Sequence, residues 1–224
     1  MNSDVTKLLG KQVCVQITGN NSINGVLTDF GIDILVIYNG QQFLYIPMLH
    51  VRRIQFNSNK EEFVNLPSEF SFAEEADPIA YRQILTNAQD KYTEISVIGN
   101  LPFHGSITDV LNDYFAFYSP VYKIMYIPFD HLKWLIPYNE YTLPYTLSKV
   151  NQTVKVNPSN IPLLLSFEEQ LKKEMGKLVV FDGGVDPFKI GLLNNVENNF
   201  AEITIASGET VYLKLNHIKS VHLP

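Results

Sequence analysis

The sequence predicts a mainly β protein made of three tandem small five-stranded bent β-barrels, each preceded by a short α-helix. Two observations predict this. A glycine-bearing strand and a histidine-bearing ending recur three times at matched spacing, and self-similarity of that kind marks a repeated structural unit. Within each copy apolar residues alternate with polar ones at the two-residue period of half-buried strands.

In the first copy the glycine strand reads Gly25-Val26-Leu27-Thr28-Asp29-Phe30, and the ending reads Tyr45-Ile46-Pro47-Met48-Leu49-His50-Val51-Arg52-Arg53-Ile54. The second copy has Gly105-Ser106-Ile107-Thr108-Asp109-Val110 and Tyr126-Ile127-Pro128-Phe129-Asp130-His131-Leu132-Lys133-Trp134-Leu135. The third has Gly191-Leu192-Leu193-Asn194-Asn195-Val196 and Leu213-Lys214-Leu215-Asn216-His217-Ile218-Lys219-Ser220-Val221. Glycine and histidine lie 25, 26 and 26 positions apart, and the closing aliphatic follows each histidine by four. The glycines themselves are 80 and then 86 residues apart, so the unit is constant and the connections vary. The first repeat is therefore assigned to 1–60, a helix plus the second repeat to 61–139, and a linker, helix and third repeat to 140–224.

Val13, Val15 and Ile17 alternate with polar neighbours, as do Ile34, Val36 and Tyr38, and Ile203 and Ile205. Asn39-Gly40 predicts a two-residue hairpin turn, Ser207-Gly208 stands at the same place in copy three, and Ser119-Pro120 predicts a longer turn in copy two. Gly25, Gly105 and Gly191 fall inside strand pattern, where a missing side chain permits a bend or bulge. Asp29, Asp109 and Asn195 read as caps of the turn that follows, and the exchange of Asp for Asn argues against acid/base work. Helices are expected over Ser3 to Leu9, Phe72 to Asp90 with a start or kink near Asp77-Pro78, and Leu163 to Met175. The last has Ser166 as cap, Glu168 and Glu169 early, Lys172 and Lys173 late, and Gly176 as terminator.

The 23 acidic and 17 basic residues give a net charge of −6, which offers no positive field for polyphosphate. By position the balance is +2 over 1–60, −7 over 61–137 and −1 over 138–224. The single cysteine, Cys14, sits in an alternating run and reads as a packing residue. Met1-Asn2-Ser3-Asp4-Val5 has no basic segment followed by an apolar core, and no apolar run reaches membrane-spanning length. Cytoplasmic synthesis without a signal peptide and no membrane insertion are expected.

A helix followed by five short strands, with a bent second strand and a turn before the last, resembles the Sm-like small barrel. The glycine strand, the Tyr-Ile-Pro strand and the His-hydrophobic-Lys/Arg-x-aliphatic ending also resemble the amino-terminal region of the spore coat protein B family of Bacillus, over nearly the whole chain. Asp182-Gly183-Gly184-Val185-Asp186-Pro187 resembles a degenerate form of that family's Gly-Gly-Pro-Glu stretch. The family's Ser/Lys/Arg-rich tail, a phosphorylation substrate, has no match here, so its role is not carried over. The resemblance implies a structural protein of the spore coat or outer spore layer, made in the mother-cell cytoplasm, with other spore coat proteins as partners and self-association through barrel edge strands. The alternative it raises is Sm-like RNA binding. The Arg-Gly pair of Sm proteins is missing near the turn before the last strand, where Pro47-Met48, Phe129-Asp130 and Leu215-Asn216 stand, and the acidic balance also disfavours nucleic acid.

His50, His131 and His217 invite a metal reading, but one per copy without paired ligand spacing fits a structural anchor that hydrogen-bonds main chain in the turn. Gly25, Gly105 and Gly191 are the other anchors. Tyr138, Tyr141 and Tyr145 form a Tyr/Pro segment suited to interaction, because tyrosine gives contact area at low entropy cost. Nucleophile elbows and phosphate loops are missing from the sequence. No catalytic site, metal or cofactor is expected, and the chain reads as a non-enzyme.

Overall fold

A computed structural model of the chain describes residues 5–19, 21–57, 64–65, 79–99, 101–138, 145 and 162–224. Copy one contributes β1 (Gln12–Ile17), β2 (Asn21–Phe30), β3 (Ile34–Tyr38), β4 (Phe43–Pro47) and β5 (Val51–Phe56). Copy two contributes β6 (Tyr92–Ile98), β7 (Leu101–Val110), β8 (Tyr114–Ser119), β9 (Lys123–Pro128) and β10 (Trp134–Pro137). Copy three contributes β11 (Leu178–Phe181), β12 (Ile190–Glu197), β13 (Phe200–Ile205), β14 (Thr210–Lys214) and β15 (Val221–His222). Two helices, α1 (Tyr81–Asn87) and α2 (Phe167–Lys173), precede copies two and three. The described strands form one open antiparallel sheet in the order β14-β13-β12-β11-β15-β9-β8-β7-β6-β10-β4-β3-β2-β1-β5. Each copy thus repeats the order fourth, third, second, first, fifth.

The sequence glycines act where the second strand of each copy crosses its neighbour. A β-carbon on Gly25 would lie 2.3 Å from the Tyr38 carbonyl oxygen, on Gly105 1.9 Å from that of Tyr118, and on Gly191 2.4 Å from that of Thr204. Main chain cannot yield as a side-chain tip can, so only glycine fits. The bulge lies three residues further on. Thr28 is the extra residue between Leu27↔Ile37 and Asp29↔Val36, Thr108 between Ile107↔Phe117 and Asp109↔Ala116, and Asn194 between Leu193↔Ile203 and Asn195↔Glu202. Such an insertion bends and twists a strand. Asp29 and Asn195 sit beside the bulge rather than in the turn, accepting from the N–H of Phe30 at 2.8 Å and of Val196 at 2.9 Å.

Three local readings change. The loop at Asn39-Gly40 has four residues, Tyr38 pairing Phe43, because the Asn39 carboxamide accepts from both the Gln41 and Gln42 N–H groups and organises a wider turn. Copy two, where Ser119-Pro120 predicts the longer turn, has the shorter one, Ser119 pairing Lys123 with Lys123 at φ 59. The second helix starts at Tyr81, since Ala80 is extended and Asp33 captures the first free N–H; Phe72 to Pro78 lie outside the described residues. In the first copy Val5 and Thr6 are helical and a turn runs to Gly10, while Ser3 and Asp4 lie outside the described residues. The third helix is capped as expected, Ser166 accepting from the Glu169 N–H.

Three apolar clusters form the interior. The first holds Val13, Val15, Ile17, Leu27, Leu35, Ile37 and Ile46 of copy one. The second unites α1 and copy two with Ile34, Val36 and Tyr45 of copy one. The third unites α2 and copy three with Tyr114, Ala116 and Tyr126 of copy two. Each borrowed trio occupies the same positions of the repeat, so every junction is built from one face of a copy and the helix of the next. At about 25 cal/mol per Å² of apolar surface removed from water, those faces hold the copies together.

Candidate functional site

The geometry that recurs between copies lies at their junctions, and both described junctions use the same four devices. The fifth strand of one copy pairs with the fourth strand of the copy before it: Leu135 opposes Tyr45, and Val221 opposes Tyr126. Both pairs set the aliphatic four residues after the histidine against the tyrosine five residues before it, so the register is identical. A turn then receives the leader of the next helix. The Ile32 N–H donates to the Ile79 carbonyl at 3.1 Å and the Tyr81 N–H donates to Asp33 Oδ1 at 2.7 Å. In the next junction the Asn112 N–H donates to Leu165 at 3.1 Å and the Phe167 N–H to Asp113 Oδ1 at 2.8 Å.

The aspartates do this from a fixed platform. The Asp33 and Asp113 carbonyls accept from the Met48 and Phe129 N–H groups at 2.8 and 2.9 Å, tying each turn to the 3-10 turn that carries the histidine. A carboxylate at a helix start satisfies an orphan donor and faces the positive end of the helix. Sequence reasoning missed these residues, although a polar residue eight positions after each glycine (Asp33, Asp113, Asn199) was the available signal.

The histidines mark the fourth device. His50 is buried, its Nδ1 3.0 Å from Thr18 Oγ1, while Nε2 reaches no hydrogen-bond partner among the described residues. Burial pushes its pKa down, and the neighbouring His131 and Lys133 push the same way, against the main chain and carboxylate of Asp130. Burial also lowers His131, which feels Asp182 and Lys219 and the main chain of Asn216. Each histidine therefore faces the residue before the histidine of the following copy. Burial lowers Lys133, and the nearby Lys219 lowers it further. Among the described residues no group of three or more His, Cys, Asp or Glu is arranged to hold a metal.

Copy three ends the series differently. Tyr212, at the position of Tyr45 and Tyr126, is 63% exposed where they are 1% and 5% exposed. Phe200, Glu202 and Tyr212 occupy the places of the trios Ile34, Val36, Tyr45 and Tyr114, Ala116, Tyr126. With Asn195, Glu197 and Asn198 they line a cavity of about 380 Å³. The Asn198-Asn199 turn, both residues at positive φ, receives no helix among the described residues, although the Asn199 carbonyl still accepts from Leu215 at 2.9 Å. His217 is exposed.

The Gly-Gly stretch serves the second junction. Asp182, buried, accepts from the Lys219 and Ser220 N–H groups at 2.7 and 3.2 Å and pairs with Lys189, while Gly183 lies against Leu101 and Phe103 of copy two. The tyrosine segment is partly engaged. Tyr138 bonds His104 Nδ1 at 2.8 Å and stacks near Tyr92, and burial, then Glu94, pushes its hydroxyl up to about 12. Tyr145 sets its ring against His104, and Tyr141 lies outside the described residues. No described helix is long and apolar enough to cross a membrane.

The family model described as YwrJ third domain matches residues 166–221, the stretch from the cap of α2 to β15. Over 224 residues the chain is 43% identical to YwrJ of Bacillus subtilis (strain 168), covering 98% of this chain and 99% of the relative. Identity at that level across both full lengths means that this chain belongs to the YwrJ family.

Proposed function

We propose that this chain is a structural assembly protein of the bacterial spore coat or outer spore layer, built of three Sm-like bent barrels over 1–60, 61–139 and 140–224 and acting by protein–protein contact. The observation that carries the reading is the repeated junction. The tyrosine, aspartate and histidine found at matched positions are used to join one copy to the next, which is what a building block needs and what a catalytic site would not repeat. The strand order fourth-third-second-first-fifth, with the glycine crossing and bulge in each second strand, supports the Sm-like description. The resemblance to a Bacillus coat family and a relative from Bacillus subtilis support the setting. Synthesis in the mother-cell cytoplasm, other coat proteins as partners and the absence of a catalytic role complete the proposal.

Fractionation of sporulating cells tests it. The protein is expected in purified spores and in the mother cell, and its presence in vegetative cells with absence from spores would remove the coat assignment. Filter binding with oligo(A) and oligo(U) at about 0.1 M salt separates the nucleic-acid class, and submicromolar retention there would replace contact-based assembly with RNA binding.

A further inference from the structure

We propose that a second copy of this chain docks on copy three, its β5 pairing with β14 so that Ile54 of the second copy stands opposite Tyr212. β5 and β14 are the two ends of the described sheet. They are also a fifth strand and a fourth strand, the two kinds that pair at both internal junctions. The register follows from those junctions without adjustment, since Ile54 lies four residues after His50 and Tyr212 five residues before His217. The same superposition sets Leu49, 54% exposed, against the exposed His217, as Asp130 faces His50 and Asn216 faces His131.

Charge favours this occupant, because residues 1–60 carry +2 and the docking face carries Glu197 and Glu202. Two differences make the contact weaker than the internal ones. Glu202 stands where Val36 and Ala116 are buried, and Lys214 stands opposite Arg52 where the internal junctions have Pro47 and Pro128. A like-charge pair across strands is unfavourable, and a buried carboxylate needs a partner. The contact is therefore reversible and sensitive to concentration. It is heterologous, so further copies extend it into a ring or a filament.

This deepens the assembly reading and rests on it for the use of such a contact. Sedimentation of the purified full chain up to on the order of 100 µM reads it directly, since mass action must populate a reversible dimer as concentration rises. Tyr212→Lys is expected to weaken association by about tenfold or more, because lysine blunts an edge strand, and Glu202→Val to strengthen it by about tenfold. Tyr212 is exposed and Glu202 half-buried beside the cavity, and circular dichroism checks that the variants fold. In a Cys14→Ser background the pair Ile54→Cys and Tyr212→Cys is expected to give covalent dimers and longer ladders on mild oxidation, with neither single variant doing so. A monomer at every concentration, association indifferent to Tyr212→Lys, or a disulfide formed only within one chain would each overturn the proposal. A monomer still recovered from spores overturns this contact and leaves the coat reading, whereas a self-associating protein absent from spores does the reverse.

Discussion

Tyr126 and Tyr212 are the same residue at the same position of the repeat, on fourth strands that pair their own third strands in the same way. One is covered and the other stands in water. Tyr126 touches Tyr114 ring to ring at 5.9 Å and lies in the apolar cluster of copy three, where burial, then the nearby Glu174, pushes its hydroxyl up to about 12. Tyr212 lines an open cavity with Phe200. Their strands and register match, although Glu202 opposes Tyr212 where Ala116 opposes Tyr126, and the cover over Tyr126 comes from the next copy. The repeat is thus a unit that completes its core only with a neighbour, the behaviour expected of stacked modules.

Truncating the two tyrosines gives the largest contrast. Tyr126→Ala removes a buried ring, for an expected loss of about 3–5 kcal/mol, while Tyr212→Ala should stay within about 0.5 kcal/mol in the monomer. Urea unfolding followed by tryptophan fluorescence of Trp134 checks both. Equal losses would break the comparison.

The capping turns give the next contrast. Asp113→Ala leaves the Phe167 N–H without its acceptor, for about 1–2 kcal/mol, while Asn199→Gly, which keeps the positive φ of a turn with no described helix on it, should cost no more than about 0.5 kcal/mol. Asp113→Asn should recover most of the loss, since asparagine caps nearly as well. Thermal unfolding of the three variants measures the difference. A full loss on Asn199→Gly would mean that the turn itself, and not a helix held on it, needs the side chain.

Much of the unit was legible in the residues. The glycines inside alternating strands announced a bend or bulge, which the structure places three residues further on, and the capped helix at Ser166 followed from its charges. Loop lengths were less so, because Asn39 organises a four-residue turn through a side-chain acceptor that the Asn-Gly dipeptide does not announce. The junctions were hidden for a different reason. Leu135 opposite Tyr45 is a main-chain pairing that any strand-forming residues could make, and Asp33 caps a helix 48 residues away. Neither contact leaves a local pattern, so only the comparison of matched positions across copies, Asp33 with Asp113 and Asn199, could have exposed it.

The smallest expected effect is a pH dependence at the first junction. His50 faces Thr18, His131, Lys133 and Asp130, and burial first, then His131 and Lys133, lowers its pKa from the usual 6.5. The unfolded chain then binds the proton more readily than the folded one, so this group's contribution is intact above 6.5 and is lost as pH falls from there through the lowered folded value. His131 and His222, also lowered by burial, act in the same direction. The midpoint of thermal unfolding should therefore drop on going from about pH 7 to about pH 5, the range in which histidine titrates. His50→Gln should reduce that drop, because the glutamine amide keeps a polar group near Thr18 and carries no titrating proton. His217→Gln, at the exposed counterpart, gives the baseline. If His50→Gln leaves the slope of His217→Gln and of the unaltered chain unchanged, the first junction does not exclude the charged ring, and its cover is looser than that around Tyr45.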